Sequence, residues 1–274
     1  MIKNILQVGA GTIFFIWGNW FAESDLRPEL LGMAIGIIAA LSIELIYFLY
    51  TERYFLQLYL NCLILKRNSE LRLSIAYIFK IEVRGKYLLV KNSRFNIPTY
   101  QPVGGVYKYF HPEATKVLSN MSVVADNAID NDEKSEFDLR QKMSKRKNIR
   151  KFLKWFFGSI ERESDPWREF YEELVATKIL PSEKFKYIYY DLTGQHFEPI
   201  HFDNYFNIDT LKYVDVYTPR FVNQQQKDEL DKIFLIKSDE YIWVTEDEIS
   251  KKFSRDGKRI SDHAHKIFFT KKLN

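Results

Sequence analysis

The sequence predicts an α/β protein: an N-terminal two-helix transmembrane hairpin followed by a strand-rich domain with one central and two late helices. Three observations predict it. Two long apolar runs open the chain, Ile5 to Ala22 with no charge and Leu30 to Tyr50 with one, Glu44. From Leu71 onward, short stretches alternate apolar and polar residues at the period of half-buried strands. Finally, Arg168-Glu-Phe-Tyr-Glu-Glu-Leu174 places three carboxylates at i, i+3 and i+4, one face of a helix.

A chain of 274 residues holds one large domain or two modest ones. The formal net charge of +4 is too small to imply nucleic-acid binding across the surface, and no nucleic-acid partner is expected. The single cysteine, Cys62, excludes an internal disulfide and a Cys-based zinc site, which fits a reducing compartment for the main domain.

Each apolar run approaches the ~20 residues that cross a bilayer core. Glu23-Ser-Asp-Leu-Arg-Pro-Glu29 joins them as a short polar turn. A cleaved signal peptide is disfavoured, because Asn19-Trp-Phe-Ala-Glu-Ser24 lacks a small-residue cleavage site and a second apolar run follows at once. Basic flanks at Lys3 and at Arg53, Lys66 and Arg67, against an acidic loop, predict both termini in the cytoplasm of a two-pass inner-membrane protein. Gly32, Gly36, Ala40 and Glu44 recur every four residues. The first three permit close helix approach, which makes the stripe a candidate oligomer contact. Glu44 reads either as a functional intramembrane carboxylate or as a residue one turn from the interface and solvated there.

The hairpin is expected over residues 1–54 and a linker helix over 55–69, with Asn68-Ser69 as its break. The domain is expected over 70–274. Its strands are Arg72 to Val83, Lys86 to Lys91 after a turn at Gly85, Phe185 to Leu192, Leu211 to Tyr217, Ile233 to Ile236 and Tyr241 to Thr245. Asp165 and Pro166 mark the start of the acidic helix and Pro181 its end, so it spans roughly Pro166 to Ile179. Short helices follow from Thr245 and around Ser261 to Phe268.

Gly85-Lys-Tyr-Leu-Leu-Val-Lys-Asn92, Pro102-Val-Gly-Gly105, Arg168-Glu-Phe-Tyr-Glu-Glu-Leu174 and Trp243-Val-Thr-Glu-Asp-Glu-Ile249 together resemble a Nudix domain. That family's signature is G-x5-E-x7-R-E-U-x-E-E-x-G-U, with U a bulky aliphatic. Gly105 matches its first glycine, Arg168 and Glu169 its R-E pair, and Glu172 and Glu173 its E-E pair. The resemblance implies an α/β/α sandwich. It also implies that Glu169, Glu172 and Glu173 bind Mg2+ and, in an active member, are catalytic. Arg94, Gln101, Tyr107 and Arg168 are the expected ligand contacts. Phe170 takes the U position but is aromatic rather than aliphatic, and the sequence departs from the signature at three further places. His111 stands where its glutamate belongs, with Glu113 out of step. Val175 replaces the second glycine, and about 50 extra residues separate Gly105 from Arg168. The frame of a hydrolase is broken while the R-E-x-x-E-E core persists.

The insertion, about 114–164, is lopsided in charge. Asp126 to Asp138 is acidic and reads as a solvated loop. Lys142 to Lys154 is basic and runs into Trp155-Phe-Phe157. The favoured reading is a solvated helix docked by Phe152, Trp155 and Phe156; an anionic leaflet or a phosphate-bearing ligand are the alternatives. The five histidines form no metal set.

Hairpin and domain together resemble the two-transmembrane effectors of CBASS anti-phage systems that carry a SMODS-associated Nudix-like domain. The resemblance implies a cyclic nucleotide ligand made by a partner nucleotidyltransferase, homo-oligomerisation on activation, and disruption of the bilayer. The rival expectation is a membrane-anchored Nudix hydrolase of nucleoside diphosphate derivatives.

Overall fold

A computed structural model describes residues 27–92, 97–126 and 136–270. The chain divides into two compact units, Met1–Leu60 and Asn61–Asn274.

In the first unit, helix α1 spans Arg27–Thr51 and α2 spans Arg53–Tyr59. Leu31–Tyr50 is long and apolar enough to cross a membrane. It is the one such helix among the described residues, so the expected hairpin is not established. Its first member, Ile5 to Ala22, lies outside them. Arg27 to Glu29, expected in the connecting turn, instead form the first turn of α1, where Pro28 is tolerated. Met33, Ile35, Ile43 and Ile46 are each more than half exposed. The least exposed face of α1 carries Leu31, Ala34, Ile37 and Leu41; Gly32, Gly36, Ala40 and Glu44 lie on a different, exposed face. The helical path bends at Glu52 and becomes π-helical over Leu60–Leu65. A turn at Lys66–Ser69 ends it, at the expected break.

The second unit begins with strands β1 (Leu71–Phe79), β2 (Glu82–Val83), β3 (Lys86–Asn92), β4 (Thr99–Gln101) and β5 (Gly104–Val106). Helix α3 (Glu113–Asn120), β6 (Val123–Ala125), β7 (Arg140–Met143) and α4 (Ile149–Phe157) follow. The remainder is α5 (Trp167–Phe170), β8 (Tyr189–Phe197), β9 (His201–Asp203), β10 (Ile208–Arg220), α6 (Gln224–Leu235), β11 (Tyr241–Val244) and α7 (Glu246–Lys251). A seven-stranded sheet runs β6-β7-β1-β10-β8, with β5 also on β1 and β9 on β10. β1 and β10 are parallel; the other pairings in this sheet are antiparallel. A four-stranded sheet runs β11-β3-β2, with β4 on β3. Arg84 and Gly85, both at positive φ, make the two-residue turn from β2 to β3.

Alternation along β1 and β10 sorts the core. Ile78, Val214 and Val216 face the four-stranded sheet, where they meet Leu89, Val244, Ile249 and Ile267. Tyr77, Phe79, Tyr213 and Tyr217 point the other way, onto the helices. Phe79 stacks edge-on against Phe170, and Tyr213 against Phe156 of α4. β1 is therefore covered on both faces and reads almost wholly buried rather than half-buried.

Several expectations are corrected. Ile233 to Ile236 is not a strand: Ile233 lies in α6, where Leu230 and Ile233 are buried at helical spacing and Asn223 caps the start. A four-residue apolar run has no period of its own to decide this. The late helix around Ser261 to Phe268 is a short 3-10 turn, Ala264–Phe268. The acidic helix is shorter than expected, α-helical over Trp167–Phe170 and π-helical over Tyr171–Val175, with Lys178 already at positive φ. The insertion is part of the sheet: β7 pairs with Leu71–Ser74 of β1, on the same edge that β5 uses further along. Asp126 is not solvated; it is buried in an ion pair with Arg72.

Candidate functional site

The site is built where β5 crosses the acidic helix. β5 pairs with β1 so that Gly105 lies opposite Tyr77 and Gly104 opposite Ile78. The Asp165 carboxylate accepts the Trp167 backbone N–H and starts the helix, and Phe170, Leu174 and Val175 anchor it in the core. Its polar face then meets the glycines. The Glu169 carboxylate lies directly on Gly105: a Cβ there would stand 1.9 Å from Oε1. The Gly104 N–H donates to Glu173 Oε2 at 2.9 Å. Two of the three glutamates are thus held by the Gly-Gly strand.

Arg168 sits among the carboxylates. Its Nε donates to Glu163 Oε1 (2.9 Å) and its Nη1 to Glu169 Oε1 (2.6 Å). Its Nη2 donates to the Val106 carbonyl (3.0 Å) and Glu163 Oε2 (3.2 Å). Glu172 Oε1 stands 3.6 Å from Nη1, and its side chain is the most open of the group, 45% exposed. Burial opposes the charge on Arg168, but the carboxylates Glu163 and Glu169 outweigh it and hold the guanidinium above its ordinary pKa. Burial pushes the Glu169 carboxyl up, against the pull of Arg168 and with help from Glu172 and Glu163.

Sequence reasoning missed two members of this cluster. Glu163 is 9% exposed and also accepts from the Tyr77 hydroxyl (3.3 Å) and the Lys108 backbone N–H (3.2 Å). Asp138, at the end of the acidic stretch, is bridged to Lys108. Burial raises its pKa to about 6, opposed by Arg140, Lys108 and Arg168 and assisted by Glu169. Counting back from Arg168 by the signature's own spacing reaches Ile160, three residues short of Glu163, so the motif does not find it. Nothing in the sequence brings Asp138 here, because its position depends on the fold of the insertion.

Among the described residues, the expected ligand contacts do not converge. Tyr107 is an interior residue, 1% exposed. Its hydroxyl donates to Asp215 Oδ2 (2.6 Å), and Asp215 is further satisfied by Tyr213 and Gln195. Gln101 lies in the four-stranded sheet and accepts from Asn92. Arg94 lies outside the described residues. His111, at the signature's glutamate position, is exposed; it stacks on Phe137 and bonds Thr115.

Among the described residues, no three acidic or imidazole side chains are placed to share a metal ion. The partners show why: Glu169 spends an oxygen on Arg168, Glu173 spends one on the Gly104 N–H, and the Arg168 guanidinium already stands against Glu169 and Glu172. As placed, the donor set does not fit Mg2+.

No curated protein and no solved structure matches the chain. Residues 70–268 do match one family, described as the SMODS-associated NUDIX domain. That stretch holds the Gly104-Gly105 strand, the acidic helix and both sheets, and by it the chain belongs to the SMODS-associated NUDIX domain family.

Proposed function

We propose that this chain is a membrane effector of anti-phage defence whose NUDIX domain binds a cyclic nucleotide without cleaving it, and that binding drives oligomerisation and membrane disruption. The observation that carries the reading is Arg168. A site built to hydrolyse a diphosphate with Mg2+ needs its carboxylates free and convergent. Here an internal cation balances them and ties them to protein donors. Family membership supplies the defence setting, and the apolar helix Leu31–Tyr50 supplies a means of membrane attachment. Both termini in the cytoplasm of a two-pass inner-membrane protein remain part of the proposal, since the domain must meet a cytoplasmic ligand.

A second reading has one observation in its favour. Glu169 and Glu172 both lie on the Nη1 side of Arg168, and Glu172 is partly open. If Arg168 swings away, an anchored hydrolase of nucleoside diphosphate derivatives becomes possible. Turnover separates the two. The purified full chain should bind a cyclic oligonucleotide saturably and release no product with Mg2+ present. Cleavage of a nucleoside diphosphate derivative, abolished by Glu172→Gln, replaces the first reading with the second.

A further inference from the structure

No acidic residue occurs between Asp138 and Glu161, a stretch carrying Arg140, Lys142, Lys145, Arg146, Lys147, Arg150, Lys151 and Lys154. The fold divides these cations. Arg146 is buried and structural: it bonds the Glu70 carbonyl (2.7 Å), Asn61 (2.8 Å) and Asp209 (2.6 Å). Burial works against the charge on Asp209, yet Lys66 and Arg146 hold its carboxyl below the ordinary value. Arg140 and Lys142 have carboxylate neighbours, Asp138 and Glu70. The rest are exposed. Arg150, Lys151 and Lys154 lie in a stripe along one face of α4, and Lys147 stands in the 3-10 turn Arg146–Asn148 that leads into it. The opposite side of α4 is fixed in the core by Ile149, Phe152, Leu153 and Phe156. The stripe is thus held outward, and none of its members pairs with a described carboxylate.

The stripe is joined to the segment that leaves the apolar helices. The Arg146 backbone N–H donates to the Ser69 carbonyl (3.3 Å) and that of Lys147 to the Arg67 carbonyl (3.1 Å). Arg67 and Lys145 therefore extend the same basic surface, and Ile64 and Leu65, about two-thirds exposed, adjoin it. Chain length adds a bound. Lys66 lies only 16 residue steps beyond Tyr50, the end of the apolar span, roughly 24 Å of helix and at most about 55 Å of extended chain. A surface tethered this closely to a bilayer, basic and bordered by apolar side chains, fits anionic headgroups by charge and by reach.

We propose that Arg67, Lys145, Lys147, Arg150, Lys151 and Lys154 form a lipid-facing surface that binds the anionic headgroups of the membrane the chain is anchored in. The inference rests on the reading of Leu31–Tyr50 as a membrane span. Each cation brought to an anionic surface adds about fivefold to the attraction, less at high salt.

The test uses the full chain reconstituted in vesicles of phosphatidylcholine alone, or of equal parts phosphatidylcholine and phosphatidylglycerol. A water-soluble acetylating reagent labels lysines, read residue by residue by mass spectrometry. Lys145, Lys147, Lys151 and Lys154 should react at least about fivefold more slowly on the anionic vesicles. Lys237, exposed on the loop after α6, should react equally on both, and high salt should erase the difference. The R150Q/K151Q/K154Q variant should lose the protection of Lys145 and Lys147. Equal rates on both vesicles overturn the proposal. So does protection on neutral vesicles by inorganic phosphate alone, which makes a free phosphate the occupant. A chain that floats with neither vesicle overturns the membrane-span reading instead.

Discussion

Glu169 and Gly105 occupy one another's space: the carboxylate rests where any other residue at 105 would carry its Cβ. Because the obstructing atoms are the far end of a side chain, Gly105→Ala is accommodated by swinging Glu169 away from Arg168. The expected result is a stability change within about 1 kcal/mol. Gly104→Ala is the contrast. A Cβ there meets the Tyr77 carbonyl oxygen at 2.3 Å, and φ is +152°, so the backbone itself must move. A loss of about 3 kcal/mol or more is expected. Denaturant unfolding of the two variants checks the pair, and equal losses contradict the distinction.

Glu163 holds Arg168 through two hydrogen bonds and is itself nearly buried. Glu163→Ala leaves the guanidinium with Glu169 and Glu172 on one side only, and leaves the Tyr77 hydroxyl without its acceptor. About 2 kcal/mol of destabilisation is expected, kept moderate because Arg168 retains some solvent. Arg168→Ala should cost a comparable amount. The double variant should cost less than the sum, since the pair acts as a unit. Strict additivity in a double-mutant cycle shows that the two side chains do not depend on each other.

The sequence makes the R-E-x-x-E-E core legible because a helix turns a spacing into a face. It makes β1, β3, β10 and β11 legible as short apolar and aromatic runs bounded by turn residues, even where burial on both faces removes the inside–outside alternation. Glu163 and Asp138 escape for a different reason. Glu163 bonds Arg168, and Asp138 comes close enough to feel its charge, only because the insertion folds back as β6, β7 and α4 along the edge of β1, a long-range pairing that no local period reports. Tyr107 illustrates the same point: its strand directs its hydroxyl to Asp215, whose place beside Tyr77 is set by the parallel pairing of β1 and β10.

Asp138 gives the domain a pH signature. An unfolded aspartate titrates near pH ~3.9, whereas burial lifts Asp138 to about 6 in the fold. Between those values the folded state holds the extra proton. Stability therefore falls as pH rises through that window and stays lower above it. Glu169, shifted in the same direction, adds to the slope. Asp138→Asn removes the titration at nearly constant shape. Relative to wild type, the variant should gain on the order of 2 kcal/mol between about pH 4 and pH 7. Urea unfolding at several pH values reads this, and a difference that is flat with pH refutes the assignment.

The last prediction concerns the membrane segment. A Cβ added at Gly32 or Gly36 would have no described atom within 4 Å, and Ala40 is exposed on the same face of α1. A larger side chain at these positions therefore meets no obstacle among the described residues. Gly36→Leu and Ala40→Leu should prevent close approach of neighbouring helices. Nucleotide binding should be unchanged, because the binding domain is a separate unit. Glu44 continues the stripe; if assembled chains enclose a wet seam along it, Glu44→Ala should weaken permeation. Dye release from vesicles holding the full chain, with and without cyclic nucleotide, is the measurement, alongside a binding assay on the same samples. Ligand-dependent release by wild type, lost in the leucine variants with binding intact, supports assembly through the stripe. Variants that leak as wild type does place the oligomer contact elsewhere. A wild type that cleaves nucleotide and never leaks points to the anchored hydrolase.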